Sequence, residues 1–180
     1  RSLVGSEMCI RDRIGTAIRM QDGWLYAAAK LPKAGVLMRM QPDGSGMNEV
    51  LDVAGGEITD LAFAPDGTLW MTTIEADGGK LCRVSNDQWG VTVEPVVTQI
   101  DGKALSCPAA VAVGADGKVY FTNAADVSVK YGLESALRTE LLAHTATGWV
   151  YVYDPVTRAV ERVLGLSLIH ISEPTRLLSI

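Results

Sequence analysis

The chain has 180 residues, 48% hydrophobic and 21% charged, a globular composition long enough for one core-bearing domain and too apolar for a disordered chain. Lys and Arg total 16 against 21 Asp and Glu, a formal net charge of -5 without a basic cluster, so nucleic acid is not expected as a partner. No run approaches the roughly 18 apolar residues of a spanning helix, and residues 1–13 lack the charged, apolar and small-residue regions of a signal peptide; no membrane-spanning segment is expected and the compartment is left open.

Residues 1–13 have no periodicity that continues beyond residue 13, and 168–180 begin just as abruptly. Both strings resemble the translated adapter peptides found at the ends of fragmentary metagenomic reading frames, so they are expected to be non-native flanks around a domain at 14–167. That sets aside Cys9 and His170. The other two cysteines, Cys82 and Cys107, lack the close spacing of a zinc site; they read as part-buried thiols, with a mutual disulfide as the alternative.

Between the flanks one phrase occurs three times. Asp22-Gly23-Trp24-Leu25-Tyr26, Asp66-Gly67-Thr68-Leu69-Trp70 and Asp116-Gly117-Lys118-Val119-Tyr120 each join a turn signal to alternating apolar and aromatic residues, the pattern of a hairpin. The first repeat predicts strands at 14–20, 24–28, 36–40 and 49–53. The second predicts 58–64, 69–73, 80–84 and 91–97, and the third 108–113, 119–122, 149–153 and 160–164. The Asp-Gly pairs are spaced by 44 and 50 residues, and periods in the 40s with four strands each indicate propeller blades at about 14–55, 56–100 and 106–166. The fold expected is therefore all-β, a partial β-propeller of three four-stranded blades. Rings typically have about four to eight blades, so the chain is expected to be a piece of a larger one, and inactive by itself.

The inner strands, 58–64 and 108–113, are rich in small residues, as convergence on a central axis requires. Tyr26, Trp70 and Tyr120 recur on the second strands and read as core residues filling the wider space between blades. The third repeat is interrupted at 123–148. There Leu133, Leu137 and Leu141 share one helical face with Ala136, and Glu134 is placed to pair with Arg138, predicting a helix within 128–145 that starts near Ser128. Such a helix would lie over one end of the propeller, near the mouth of the channel.

The third repeat resembles the strictosidine synthase-like branch of the six-bladed propellers, a superfamily that also holds the gluconolactonases of the senescence marker protein family and, more distantly, the paraoxonases. The residues that carry this are Val119-Tyr120-Phe121-Thr122-Asn123-Ala124, the helical insertion after them, and Thr147-Gly148-Trp149-Val150-Tyr151-Val152-Tyr153-Asp154-Pro155-Val156-Thr157, with Trp149 where the family carries arginine. The resemblance implies a six-bladed parent that hydrolyses lactones or related small esters, with a small-molecule substrate. It also implies one divalent cation of the calcium or zinc type in the channel, held by oxygen ligands from several blades. At the start of the third inner strand the family carries asparagine-aspartate, and this chain has Ala109-Ala110, which have no donor atoms. No metal ligand and no catalytic residue is therefore assigned within the chain, and a non-catalytic binding propeller is the alternative.

The polar residues expected near the channel are Asp60, with Glu57 just before its strand, then Asn123, Asp126 and His144. Asp60 stands on a strand of small apolar residues, where a carboxylate needs a partner or water. His144 ends the expected helix, where the dipole favours a cation, and no nucleophile motif accompanies it.

Overall fold

A computed structural model describes residues 14–87, 90–126, 138, 142 and 147–166. The first Asp-Gly pair makes the tightest turn: Asp22 and Gly23 take φ of 50° and 79°, the left-handed pair of a two-residue hairpin, between β1 (Ile14–Gln21) and β2 (Trp24–Lys30). The other two repeats use a longer loop with one shared bonding pattern. In it the turn aspartate, Asp66 or Asp116, accepts the amide two residues on, from Thr68 or Lys118.

Three antiparallel sheets of four strands follow in chain order. The first adds β3 (Ala34–Met40) and β4 (Asn48–Ala54). The second comprises β5 (Glu57–Phe63), β6 (Leu69–Glu75), β7 (Gly78–Asp87) and β8 (Gly90–Val97). After a short ribbon, β9 (Gln99–Ile100) and β10 (Lys103–Ala104), the third comprises β11 (Pro108–Val113), β12 (Val119–Asn123), β13 (Gly148–Tyr153) and β14 (Val160–Leu166). Within each sheet every strand pairs with its neighbour in sequence, and inner strand packs on inner strand, β1 on β5 and β5 on β11. This is the fan of three propeller blades that the repeats require. The ribbon is an addition to the expected elements, turning at Asp101 and Gly102 with φ of 52° and 77°.

The core lies in the two joints between blades. At the first, Tyr26, Ala28 and Leu37 of one blade meet Leu61, Phe63 and Met71 of the next; at the second, Ala62, Trp70 and Leu81 meet Val111, Phe121 and Tyr153. The aromatic residues of the second strands cross these joints, Tyr26 edge-on to Phe63 at 4.9 Å and Trp70 tilted on Tyr153 at 5.8 Å. Each fully buried large side chain here contributes about 1.5–3 kcal/mol. Cys82 belongs to the first joint, while Cys107 packs with Ile74, Ala124 and Ala125; both are buried thiols, and no disulfide joins them.

Two glycines set how closely the blades approach. A Cβ on Gly35 would lie 2.8 Å from the Ile58 amide nitrogen, and one on Gly79 would lie 2.2 Å from Pro108 Cδ. Each sits early in the third strand of its blade, against the start of the next inner strand. The expected helix at 128–145, with His144, lies outside the described residues apart from Arg138 and Leu142, which are helical and exposed. The flanks expected at 1–13 and 168–180 also lie outside them.

Candidate functional site

Asp60 is engaged by both neighbouring blades rather than facing open space. It sits on β5 opposite Thr72, one residue past the register shift at Thr59. Its Oδ1 accepts from the Arg19 guanidinium at 2.9 Å and its Oδ2 from the Val111 amide at 3.0 Å. One carboxylate thus ties β1, β5 and β11 together at the inner edge of the fan. Beside it the Thr59 hydroxyl donates to the Pro108 carbonyl at 2.8 Å and lies 2.8 Å from Thr72 Oγ1, a second tie between the second and third blades. The partner that a carboxylate on such a strand demands is a structural one.

Asn123 and Asp126 come together elsewhere. Asn123 ends β12 and is buried; its Oδ1 accepts the Cys107 amide at 2.7 Å and so caps the entry to β11. Asp126 is exposed, accepts from the Ser106 hydroxyl at 3.2 Å, and has its own amide bonded to Thr147 Oγ1 at 2.9 Å. Both line a cavity of about 320 Å³ between the ribbon and the third blade, with Lys103, Trp149, Tyr151 and Arg162. The charges there are paired: Lys103 with Asp126 at 3.6 Å, and Arg162 with Asp101 at 2.6 Å. The Arg162 guanidinium also lies 5.2 Å over the Trp149 ring. Burial pushes the Tyr151 phenol above its ordinary range, so it is a neutral donor at physiological pH.

The strand ends that open on this side carry further ion pairs, Lys30 with Glu57 and Lys80 with Glu75 and Asp77. The hydrogen bond from Lys80 to Glu75 holds the ammonium above its usual pKa. Glu57 is thus engaged with the first blade. Sequence reading placed Asp60 with Asn123 and Asp126 near one channel, but the structure brings only the last two together. It missed Lys103, Trp149 and Arg162, which converge from three separate elements, and only the aromatic Trp149 in the family's arginine position was a signal. His144 lies outside the described residues.

The described residues do not by themselves make a divalent-cation site. Among the described residues no three Asp, Glu, His or Cys side chains converge. Ala110, which stands where Asp60 stands in the second blade, bonds its amide to Thr122 Oγ1 at 3.0 Å and offers no oxygen. The cavity at the third blade has what small polar molecules need, an aromatic wall ringed by donors and acceptors. Among the described residues it does not pair a nucleophile with an oriented base.

Comparison with solved structures places the fold. A gluconolactonase from Xanthomonas campestris matches with a TM-score of 0.61 at 19% identity, over 88% of this chain and 54% of that one. A candidate gluconolactonase matches with a TM-score of 0.52 at 16% identity, over 87% and 55%. TolB from Acinetobacter baumannii matches with a TM-score of 0.54 at 15% identity, over 84% and 32%. The chain thus spans about half the length of the gluconolactonase structures it matches, and the fold they share is the β-propeller. No protein-family model and no curated protein matches the chain. Among the described residues no helix is long and apolar enough to cross a membrane.

Proposed function

We propose that these three blades are half of a six-bladed ring whose complete form hydrolyses lactones or related small esters. The observation that carries the reading is the likeness of fold to the gluconolactonase of Xanthomonas campestris, with about half of that chain covered. The order of the strand, insertion and strand at 119–157 resembles the strictosidine synthase-like branch of the same superfamily. The third blade brings no donor at Ala109-Ala110, so the reacting carbonyl must be polarised by groups from the other half of the ring. The chain by itself is inactive on this reading.

A second reading, a propeller that binds a small polar molecule without turnover, is favoured by the same two alanines and by the cavity beside Trp149. Hydrolysis of gluconolactone, measured with added calcium or zinc and with a chelator, separates the two readings when run on the chain and on the continuous reading frame that contains it. The first expects no rate from the chain and a metal-dependent rate from the complete ring. Absence of that rate, with saturable quenching of tryptophan fluorescence by the lactone that Trp149→Phe abolishes, establishes the second.

A further inference from the structure

The cavity at Trp149 lies on the flank of the fan and not in its channel. Trp149 and Tyr151 stand on β13 and Arg162 on β14, the two outer strands of the third blade. Trp149 and Tyr151 belong to the apolar cluster that joins this blade to the second, and Arg162 lies opposite Tyr151 on the same side of the sheet. The ribbon closes the far side, with Ile100 and Leu105 in that cluster too. The described walls are thus all supplied by a joint inside the chain, not by an open blade face. A volume of about 320 Å³ is at the low end of small-molecule sites, which run from about 300 to 1,000 Å³. It suits a molecule the size of a single six-membered ring better than a nucleotide cofactor.

Its charges cancel in place. Lys103 has Asp126 at 3.6 Å and Arg162 has Asp101 at 2.6 Å, so each cation on the wall already has a carboxylate. A ligand with a charge of its own would have to draw one member of a pair from its partner and leave the other uncompensated. A hydroxyl group avoids that. It donates and accepts at once, so it can bond to either member of a pair while the pair stays whole. Other polar groups on the wall are neutral, among them the Tyr151 phenol and the Asn123 carboxamide. The Asn123 oxygen is committed to the Cys107 amide, so this side chain contributes its N–H donors. Trp149 adds an apolar surface, its ring held 5.2 Å from the Arg162 guanidinium.

We propose that this cavity binds an uncharged, polyhydroxylated ring the size of a monosaccharide, with its C–H surface toward Trp149 and its hydroxyls bonded between the two ion pairs. A sugar ring has C–H groups on its faces and hydroxyls around its edge, which matches an indole surface beside a rim of mixed donors and acceptors whose charges cancel. This rests on the second reading above only in taking the cavity as a small-molecule site, and it adds the class of the molecule. A separate site in the channel is compatible with it, because the channel lies at the inner strands β1, β5 and β11.

The test is calorimetric titration of the whole 180-residue chain with sugars that share one ring and differ in charge. Glucose, glucuronate and glucosamine form one series and their galactose counterparts a second, at mildly acidic pH, where the acid and the amine are both charged. At least one neutral sugar should bind, about tenfold or more tighter than its charged counterparts. Trp149→Ala should weaken that binding about tenfold. Asp126→Asn keeps an acceptor for Ser106 but leaves Lys103 unpaired; it should tighten binding of the uronate about tenfold and leave the neutral sugar within about twofold. Far-ultraviolet circular dichroism checks both folds, and Asp126→Asn, at an exposed residue, carries the test by itself if Trp149→Ala unfolds. A uronate or amine that binds the native chain as tightly as the neutral sugar overturns the ligand class and leaves the second reading standing. Absence of binding by all the sugars removes that reading and this proposal with it. Neutral-sugar binding that Trp149→Ala leaves unchanged, or no gain for the uronate in Asp126→Asn, overturns the placement in this cavity.

Discussion

Asp60 holds the inner edge of the fan because each of its two oxygens has a donor from a different blade. Removing the side chain leaves the Val111 amide without its acceptor as well as losing the Arg19 pair, so Asp60→Ala should destabilise by about 1–3 kcal/mol. Arg19 is 42% exposed, so the ion pair itself is screened by solvent and Arg19→Ala should lose under about 1 kcal/mol. Asp60→Asn keeps an acceptor for Val111 and should resemble Arg19→Ala. Urea unfolding of the three variants decides the matter: equal losses for Asp60→Ala and Arg19→Ala would show that the amide bond contributes nothing. The need for a partner was legible from a lone carboxylate on an apolar strand. Its identity was not, since Arg19 and Val111 lie 41 and 51 residues away.

At the scale of the element, the separation of blades is set where a third strand begins against the next inner strand. Gly79 donates its amide to the Leu105 carbonyl at 2.7 Å and has Pro108 across from its Cα, leaving no room for a methyl group. Gly79→Ala should therefore push the second and third blades apart and destabilise by about 1–3 kcal/mol, the usual range for overpacking. Gly165→Ala is the control, since its nearest neighbour is a Trp149 ring carbon at 3.7 Å, an ordinary contact; it should stay within about 0.5 kcal/mol. Thermal unfolding of both variants measures this, and equal melting temperatures would refute the steric account. The twelve long strands could be read from alternation because period two is a local property. The ribbon could not, since two-residue strands have no period to read, although Asp101-Gly102 carried the same turn signal as the three repeats.

For the molecule as a whole, the turn aspartates give one common response to pH. Asp43, Asp66 and Asp154, one from each blade, are held below the ordinary carboxylate range by hydrogen bonds from turn residues: Ser45, Thr68, and the Val156 and Thr157 amides respectively. A carboxylate whose folded pKa lies below its unfolded value of about 3.9 stabilises the fold fully above that value. The contribution is lost as pH falls through the lower, folded pKa. Stability should therefore decline on acidification below about pH 4, and Asp66→Asn, which keeps the acceptor but not the titration, should flatten that decline. Melting temperatures across the acid range provide the check, and an unchanged slope in Asp66→Asn would count against it. Buried thiols do not enter at this end of the scale, as burial pushes Cys82 up to about 11.

The sequence by itself determined the repeat, its strands and its turns, because turn chemistry and alternation are both local. Only the tertiary structure decided which polar groups meet. It committed Asp60 to joining blades, and gathered Asn123 and Asp126 with Lys103, Trp149 and Arg162 around a separate cavity. Those meetings depend on how the sheets and the ribbon pack, which joins residues from 16 to 61 positions apart that no local pattern records.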